Sequence, residues 1–218
     1  MKNDTIEYSN EVQVDTIHYN FYNYLDLNRW NSYFHQIEET LAFEPKSVLI
    51  VGVGDNIVAT ILKQYGVKVT TFDFDNTLHP NIIGNVVHIK EILQEQRFDV
   101  LLCCQVLEHL PYEYFEKIIK QFSEIANNVI ISLPYSSTYF KVDIKIPRIK
   151  ERRILLNIHN GHKLFKHNEE HYWEIGYKGY SKRKIEGCIK QFLKIQKLFT
   201  AKHNHYHLFF ILTQSFNY

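Results

Sequence analysis

Ser47-Val48-Leu49-Ile50-Val51-Gly52-Val53-Gly54-Asp55-Asn56 decides the fold. Four apolar residues in a row, closed by glycine, predict a strand buried on both faces, because a strand with one wet face would alternate with period two. Two glycines then let the backbone turn tightly and approach a ligand, and a helix that follows points its free amide groups at the same place. Outward from this stretch, Val67 to Asp73, Asn85 to Ile89, Phe98 to Cys104 and Asn128 to Leu133 read as further strands. Between them, Ile57, Ile61, Leu62 and Tyr65 predict a helix closed by Gly66. Phe115, Ile118, Ile119, Phe122, Ile125 and Ala126 share one face of a helix from about Pro111 to Ala126. Another helix, with Ile185, Cys188, Ile189, Phe192 and Leu193, follows a cap at Ser181. Strand and helix alternate, which predicts an α/β doubly wound, mostly parallel seven-stranded sheet. Ile195 to Ala201 and Tyr206 to Thr213 have only four residues between them, too few for a parallel crossover, so the final strand is expected to be antiparallel.

The chain has 218 residues, 45% of them apolar, enough for one sizeable core. Twenty-five Lys and Arg against 24 Asp and Glu leave a formal charge of +1. That balance gives no global field for nucleic acid, and no apolar run approaches the roughly 20 residues of a membrane-spanning helix. Met1 to Thr5 lacks the apolar core of a signal peptide, and three cysteines make no disulfide framework, so a cytoplasmic protein is expected. A single domain over 1–218 is predicted, with an N-terminal helical cap over about 1–46 and an insertion over about 135–180.

In a doubly wound sheet, ligands bind beyond the carboxyl ends of the strands. Asp73 closes the second strand 21 residues after Gly52, where a carboxylate can accept both ribose hydroxyls of a nucleoside. A dinucleotide fingerprint would need a third glycine where Ile57 stands, so the pattern favours an adenosine without pyrophosphate over NAD(P).

These residues resemble class I S-adenosylmethionine-dependent methyltransferases of the type 11 group, over most of the chain. Val48 to Asn56 is similar to the family's first motif, Val69 to Asp75 to its second, Phe98 to Leu110 to its fourth-strand motif, and Ser132 to Tyr135 to the end of its fifth strand. The resemblance implies a Rossmann-like fold and S-adenosylmethionine as cofactor. It puts Gly52 and Gly54 against the methionine portion, Asp73 on the ribose, Phe74 beside the adenine, Asn85 at the adenine edge and Gln105 under the sulfonium. Arg29 and Tyr33, on an amphipathic helix before the first strand, would contact the cofactor carboxylate. The chain departs from the family at Ile50, where an acid is usual, and at Asn56, where a glycine is usual.

Methyl transfer needs an in-line approach, and an oxygen acceptor also needs a base. The long segment after the fifth strand is expected to bind a small-molecule acceptor, with His171 as base or acceptor contact and Tyr135, Tyr172 and Trp173 as aromatic walls. Methylation at oxygen or nitrogen is expected; a non-catalytic binding module and an NAD(P)-dependent oxidoreductase are the alternatives. Gln105, Glu108 and His109 resemble the Glu-x-x-Glu-His that holds a divalent metal in ubiquinone-pathway O-methyltransferases, but an amide replaces the first carboxylate and no metal is expected. His159, His162, His167 and His171, and His203, His205 and His207, lack accompanying cysteines and regular spacing, so solvent or packing roles are expected. Lys141, Lys145, Arg148, Lys150, Arg152 and Arg153, diluted by Asp143 and Glu151, read as an exposed face or a contact for an anionic acceptor.

Overall fold

The computed structural model describes residues 19–144, 146–148, 152–159, 163–166 and 170–214. His162, His167, Lys145, Lys150 and Glu151, named above, lie outside the described residues. Two helices, α1 (Phe21–Tyr24) and α2 (Leu27–Leu41), precede β1 (Ser47–Val51), α3 (Ile57–Gln64), β2 (Lys68–Asp73) and β3 (Ile82–Ile83). The chain continues through α4 (Ile89–Leu93), β4 (Phe98–Cys104), α5 (Phe115–Ile125), β5 (Ala126–Pro134), β6 (Ser137–Ile144) and β7 (Arg152–His159). It closes with α6 (Lys182–Ile189), β8 (Leu193–Ala201) and β9 (Asn204–Gln214).

Seven strands form one sheet in the order β3-β2-β1-β4-β5-β9-β8. The pairs from β3 to β5 are parallel, whereas β9 runs antiparallel to both β5 and β8. The predicted architecture, including the reversed last strand, is therefore present. Along β1, successive side chains enter opposite faces. Val48 and Ile50 join Tyr33, Val58, Leu62 and Phe209 on one side, while Leu49 and Val51 join Phe72, Phe115, Ile119 and Ile185 on the other. That two-sided burial explains why the strand reads as an uninterrupted apolar run.

Asn85 to Ile89 is not a strand. The third strand is only Ile82 and Ile83, paired with Phe72 and Asp73. Asn85 instead accepts the Val87 backbone N–H at 2.9 Å and starts a 3-10 turn, Val86–His88, that runs into α4. Val86, Val87 and Ile89 are buried all the same, and a short apolar run has the same composition in either geometry. The helix expected from Pro111 opens as a 3-10 turn, Tyr112–Tyr114, before α5. The Ser181 side chain accepts the Lys184 N–H at 3.2 Å and caps α6, as expected.

The segment after β5 folds its own antiparallel hairpin, β6 with β7, in which Phe140 pairs with Leu156 and Lys141 with Leu155. It returns to the sheet through a bridge between Tyr135 and Ile175. Among the described residues, no helix is long and apolar enough to cross a membrane.

Candidate functional site

The loops after β1, β2 and β4 enclose a cavity of about 190 Å³. Its floor is the glycine turn. Gly52 has φ +86°, and a Cβ there would stand 2.4 Å from Val106 Cγ2; Gly54 has φ +54°. Gly52 therefore needs glycine, whereas an added Cβ at Gly54 would meet only ordinary contacts with Tyr24 and Tyr19. The Gly52 N–H donates to the Phe72 carbonyl at 2.9 Å, tying the turn to β2.

Asp73 is the second fixed point. Its Oδ2 accepts the Val53 N–H at 2.7 Å and its Oδ1 accepts the Asp75 N–H at 3.0 Å. Burial raises its carboxyl pKa, while those two backbone donors pull in the opposite direction. The same carboxylate thus fixes the glycine turn and faces the cavity. Phe74 stands beside it, half-exposed, and Asn85 borders the space while capping its 3-10 turn. Gln105 closes the wall after β4 in a left-handed conformation, φ +55°, with its side-chain amide donating to Ser132 Oγ at 3.2 Å.

The N-terminal helices complete the enclosure. The Tyr33 hydroxyl donates to Asp55 Oδ2 at 2.8 Å, joining α2 to the glycine turn. Arg29 lies over the Tyr24 ring at 3.7 Å, a cation–π contact that orients the guanidinium. All eight residues expected to contact a cofactor, Arg29, Tyr33, Gly52, Gly54, Asp73, Phe74, Asn85 and Gln105, border this one cavity. Tyr19, Tyr24, Asp55, Val106, His109 and His207 also line it and escaped the sequence reading of the site. Asp55, directly after the glycines, carried a local signal; His207 reaches the cavity only because β9 folds back beside β5.

The four residues expected at an acceptor site do not line the cavity. Tyr135 and Trp173 are buried, and Tyr172 is partly buried against the core. Trp173 is fully enclosed, with its indole N–H donated to the Leu110 carbonyl at 3.0 Å, so its ring reaches no cavity. His171 sits one step behind the wall, its ring 4.9 Å from that of His109 and its Nδ1 3.0 Å from Glu174 Oε1. The Tyr206 hydroxyl donates to the same Glu174 oxygen at 2.7 Å. Burial pushes the Glu108 carboxyl up to about 8, against the pull of His171, and burial with the His171 charge pushes His109 down to about 4. Burial alone would lower His171, but its hydrogen bond to Glu174 and the charge of Glu108 raise it.

His207 supplies a pH prediction. Burial, then the Arg29 charge, lowers its pKa to about 3, and its Nδ1 has no hydrogen-bond partner among the described residues. The unfolded imidazole titrates near 6.5, so the unfolded state binds the extra proton between pH 6.5 and 3. The neutral ring's contribution is complete above pH 6.5 and is lost as pH falls toward 3. Urea unfolding across that window is expected to show a falling acid limb that His207→Leu flattens; an unchanged limb would move its cause elsewhere.

A methyltransferase domain matches residues 15–176, most of the chain. The chain belongs to this methyltransferase family. Its similarity to a ubiquinone biosynthesis O-methyltransferase from Pseudomonas paraeruginosa is 33% identity over 88 residues, 34% of this chain and 38% of that protein. The matched stretch thus covers well under half the length of the curated relatives. Among solved structures, NodS, an N-methyltransferase from Bradyrhizobium japonicum crystallised with S-adenosylhomocysteine, superposes with a TM-score of 0.57 at 8% identity, covering 87% of this chain and 88% of that one. The PH0226 protein from Pyrococcus horikoshii superposes at 0.54 and 12% identity, over 93% and 100%. At such low identity these structures bear on the methyltransferase fold alone.

Proposed function

We propose that this protein is an S-adenosylmethionine-dependent methyltransferase acting at oxygen or nitrogen of a small-molecule acceptor. The observation that carries this reading is the pairing of Asp73 with the positive-φ glycines at one cavity. Asp73 accepts ribose hydroxyls, Gly52 and Gly54 admit the methionine portion, and Phe74 and Asn85 flank the adenine. Arg29 offers the cationic partner for the cofactor carboxylate. When bound, the sulfonium supplies an activated methyl group. Gln105 and Val106 shape the wall beside which the acceptor must approach in line, and exclusion of water is the other task of the site.

His109, at the wall, faces the acceptor, and His171 supports it from behind. The acceptor region draws on the described part of the segment after β5, and α1 and α2 close the opposite side. Cys103, Cys104 and Cys188 are unpaired, which suits a reducing cytoplasm. Calorimetric titration with S-adenosylmethionine, S-adenosylhomocysteine and NADH tests the assignment. Micromolar binding of the first two alone is expected, followed by release of S-adenosylhomocysteine with phenolic or amine acceptors. Folded protein that binds neither adenosyl ligand would overturn the reading, and binding without turnover would favour a non-catalytic module.

A further inference from the structure

The lining of the cavity divides by charge. Its carboxylates, Asp55, Asp73 and Asp75, follow β1 and β2, whereas β4, the turn after it and β9 contribute the Cys104 thiol and the imidazoles of His109 and His207. His207 is only 7% exposed, and its Nδ1 has no hydrogen-bond partner among the described residues. A buried polar atom in that state has lost its water without recompense, unless a bound molecule supplies the missing partner. The ring borders the cavity, so a ligand held there is within its reach. We propose that His207 is a specificity-determining residue that hydrogen-bonds the acceptor, and that it selects a neutral or anionic molecule presenting a hydroxyl over one presenting an ammonium.

The order of the sheet gives His207 its place. The inference rests here on the methyltransferase reading, which lays adenosine over β2, methionine over β1 and the sulfonium beside Gln105, after β4. From β4 the sheet continues through β5 to β9, where His207 stands in register with Pro134, the last residue of β5. An acceptor that approaches the sulfonium from the side away from adenosine therefore meets His207. Burial and the Arg29 charge hold this imidazole neutral, and Asp26, which pulls the other way, is exposed and engaged in capping α2. A neutral imidazole carries one N–H and one lone pair, and a hydroxyl, which both donates and accepts, complements either tautomer. An ammonium only donates, and its charge can be buried only with a carboxylate beside it. The carboxylates of the cavity follow β1 and β2 instead, and the Arg29 charge that reaches His207 also repels a cation.

The test reads binding rather than turnover. Full-length protein with ¹⁵N-labelled histidine is saturated with S-adenosylhomocysteine, and the ring nitrogen resonances are followed as phenol, salicylate or benzylamine is added. Resonances missing from the spectrum of His207→Leu identify His207. Phenol and salicylate are expected to shift them saturably, and benzylamine to bind at least about tenfold more weakly, the worth of one well-made hydrogen bond. His207→Leu should abolish that preference for hydroxyl over amine, and His207→Asn, which keeps a donor and an acceptor, should restore most of it. Circular dichroism checks that both variants fold. Absence of any His207 shift at millimolar phenol and salicylate, equal affinity for benzylamine, or an unchanged hydroxyl-to-amine ratio in folded His207→Leu overturns the proposal. Failure of S-adenosylhomocysteine to bind overturns the methyltransferase reading separately, and the same three probes added without it still report on His207.

Discussion

Asp73→Ala is expected to weaken S-adenosylmethionine by about 1.5–3 kcal/mol, the range for hydrogen bonds to a charged group, or roughly tenfold to more than a hundredfold in Kd. The variant also strips the Val53 and Asp75 N–H groups of their acceptor, so part of any loss could come from a displaced glycine turn. Adenosine separates the two causes. If the carboxylate binds ribose hydroxyls, adenosine and S-adenosylhomocysteine weaken by the same factor as the cofactor. If the turn alone is responsible, adenosine keeps its affinity while ligands that carry the methionine portion lose theirs, and that result would remove the ribose assignment. Asp73→Asn adds a second check, because an amide retains one acceptor for the backbone but presents a donor to the ribose or to the other backbone N–H.

The cofactor half of the candidate site was legible because its residues follow strands directly. Gly52 and Gly54 end β1, Asp73 and Phe74 end β2, and Gln105 ends β4, so assigning the strands placed the site. Asn85 shows where that logic works by accident: it borders the cavity although the strand predicted around it is a 3-10 turn. The acceptor half was not legible in the same way. Tyr172 and Trp173 read as a binding motif, yet an aromatic that fills a core and one that walls a pocket have the same local sequence, and here Trp173 fills the core. The contact between His109 and His171 spans 62 positions and depends on how the inserted segment returns to β5. No periodicity reports such a meeting. His207 reads in the sequence as a solvent or packing histidine, and only the reversal of β9 beside β5 brings it to the cavity.

That return of the inserted segment rests on Gly176, and Gly176→Ala is the substitution expected to cost most stability. Gly176 has φ +106°, outside the range that residues with a Cβ adopt readily, and an added Cβ would stand 2.1 Å from the Ser136 carbonyl oxygen. The oxygen is backbone and cannot swing aside. Ser136 donates its N–H to Ile175 at 2.8 Å, and Ile175 donates to Pro134 at 3.1 Å, so relief requires parting the two segments. A loss of about 3 kcal/mol or more is expected from forced backbone strain combined with broken hydrogen bonds. In a domain of this size that corresponds to a fall in Tm of roughly 6–12 °C. Gly179→Ala is the matched control: φ is +91°, but nothing lies within 4 Å of the added carbon. It should cost only the conformational penalty of about 1–2 kcal/mol. Because the Tyr135–Ile175 bridge ends two residues after His171-Tyr172-Trp173, Gly176→Ala should also loosen His171 from Glu108 and His109, whereas Gly179→Ala should leave that cluster assembled. Urea unfolding of the two variants side by side decides the matter: equal losses would mean that the segments separate easily and that the approach of Gly176 to Ser136 holds nothing in place.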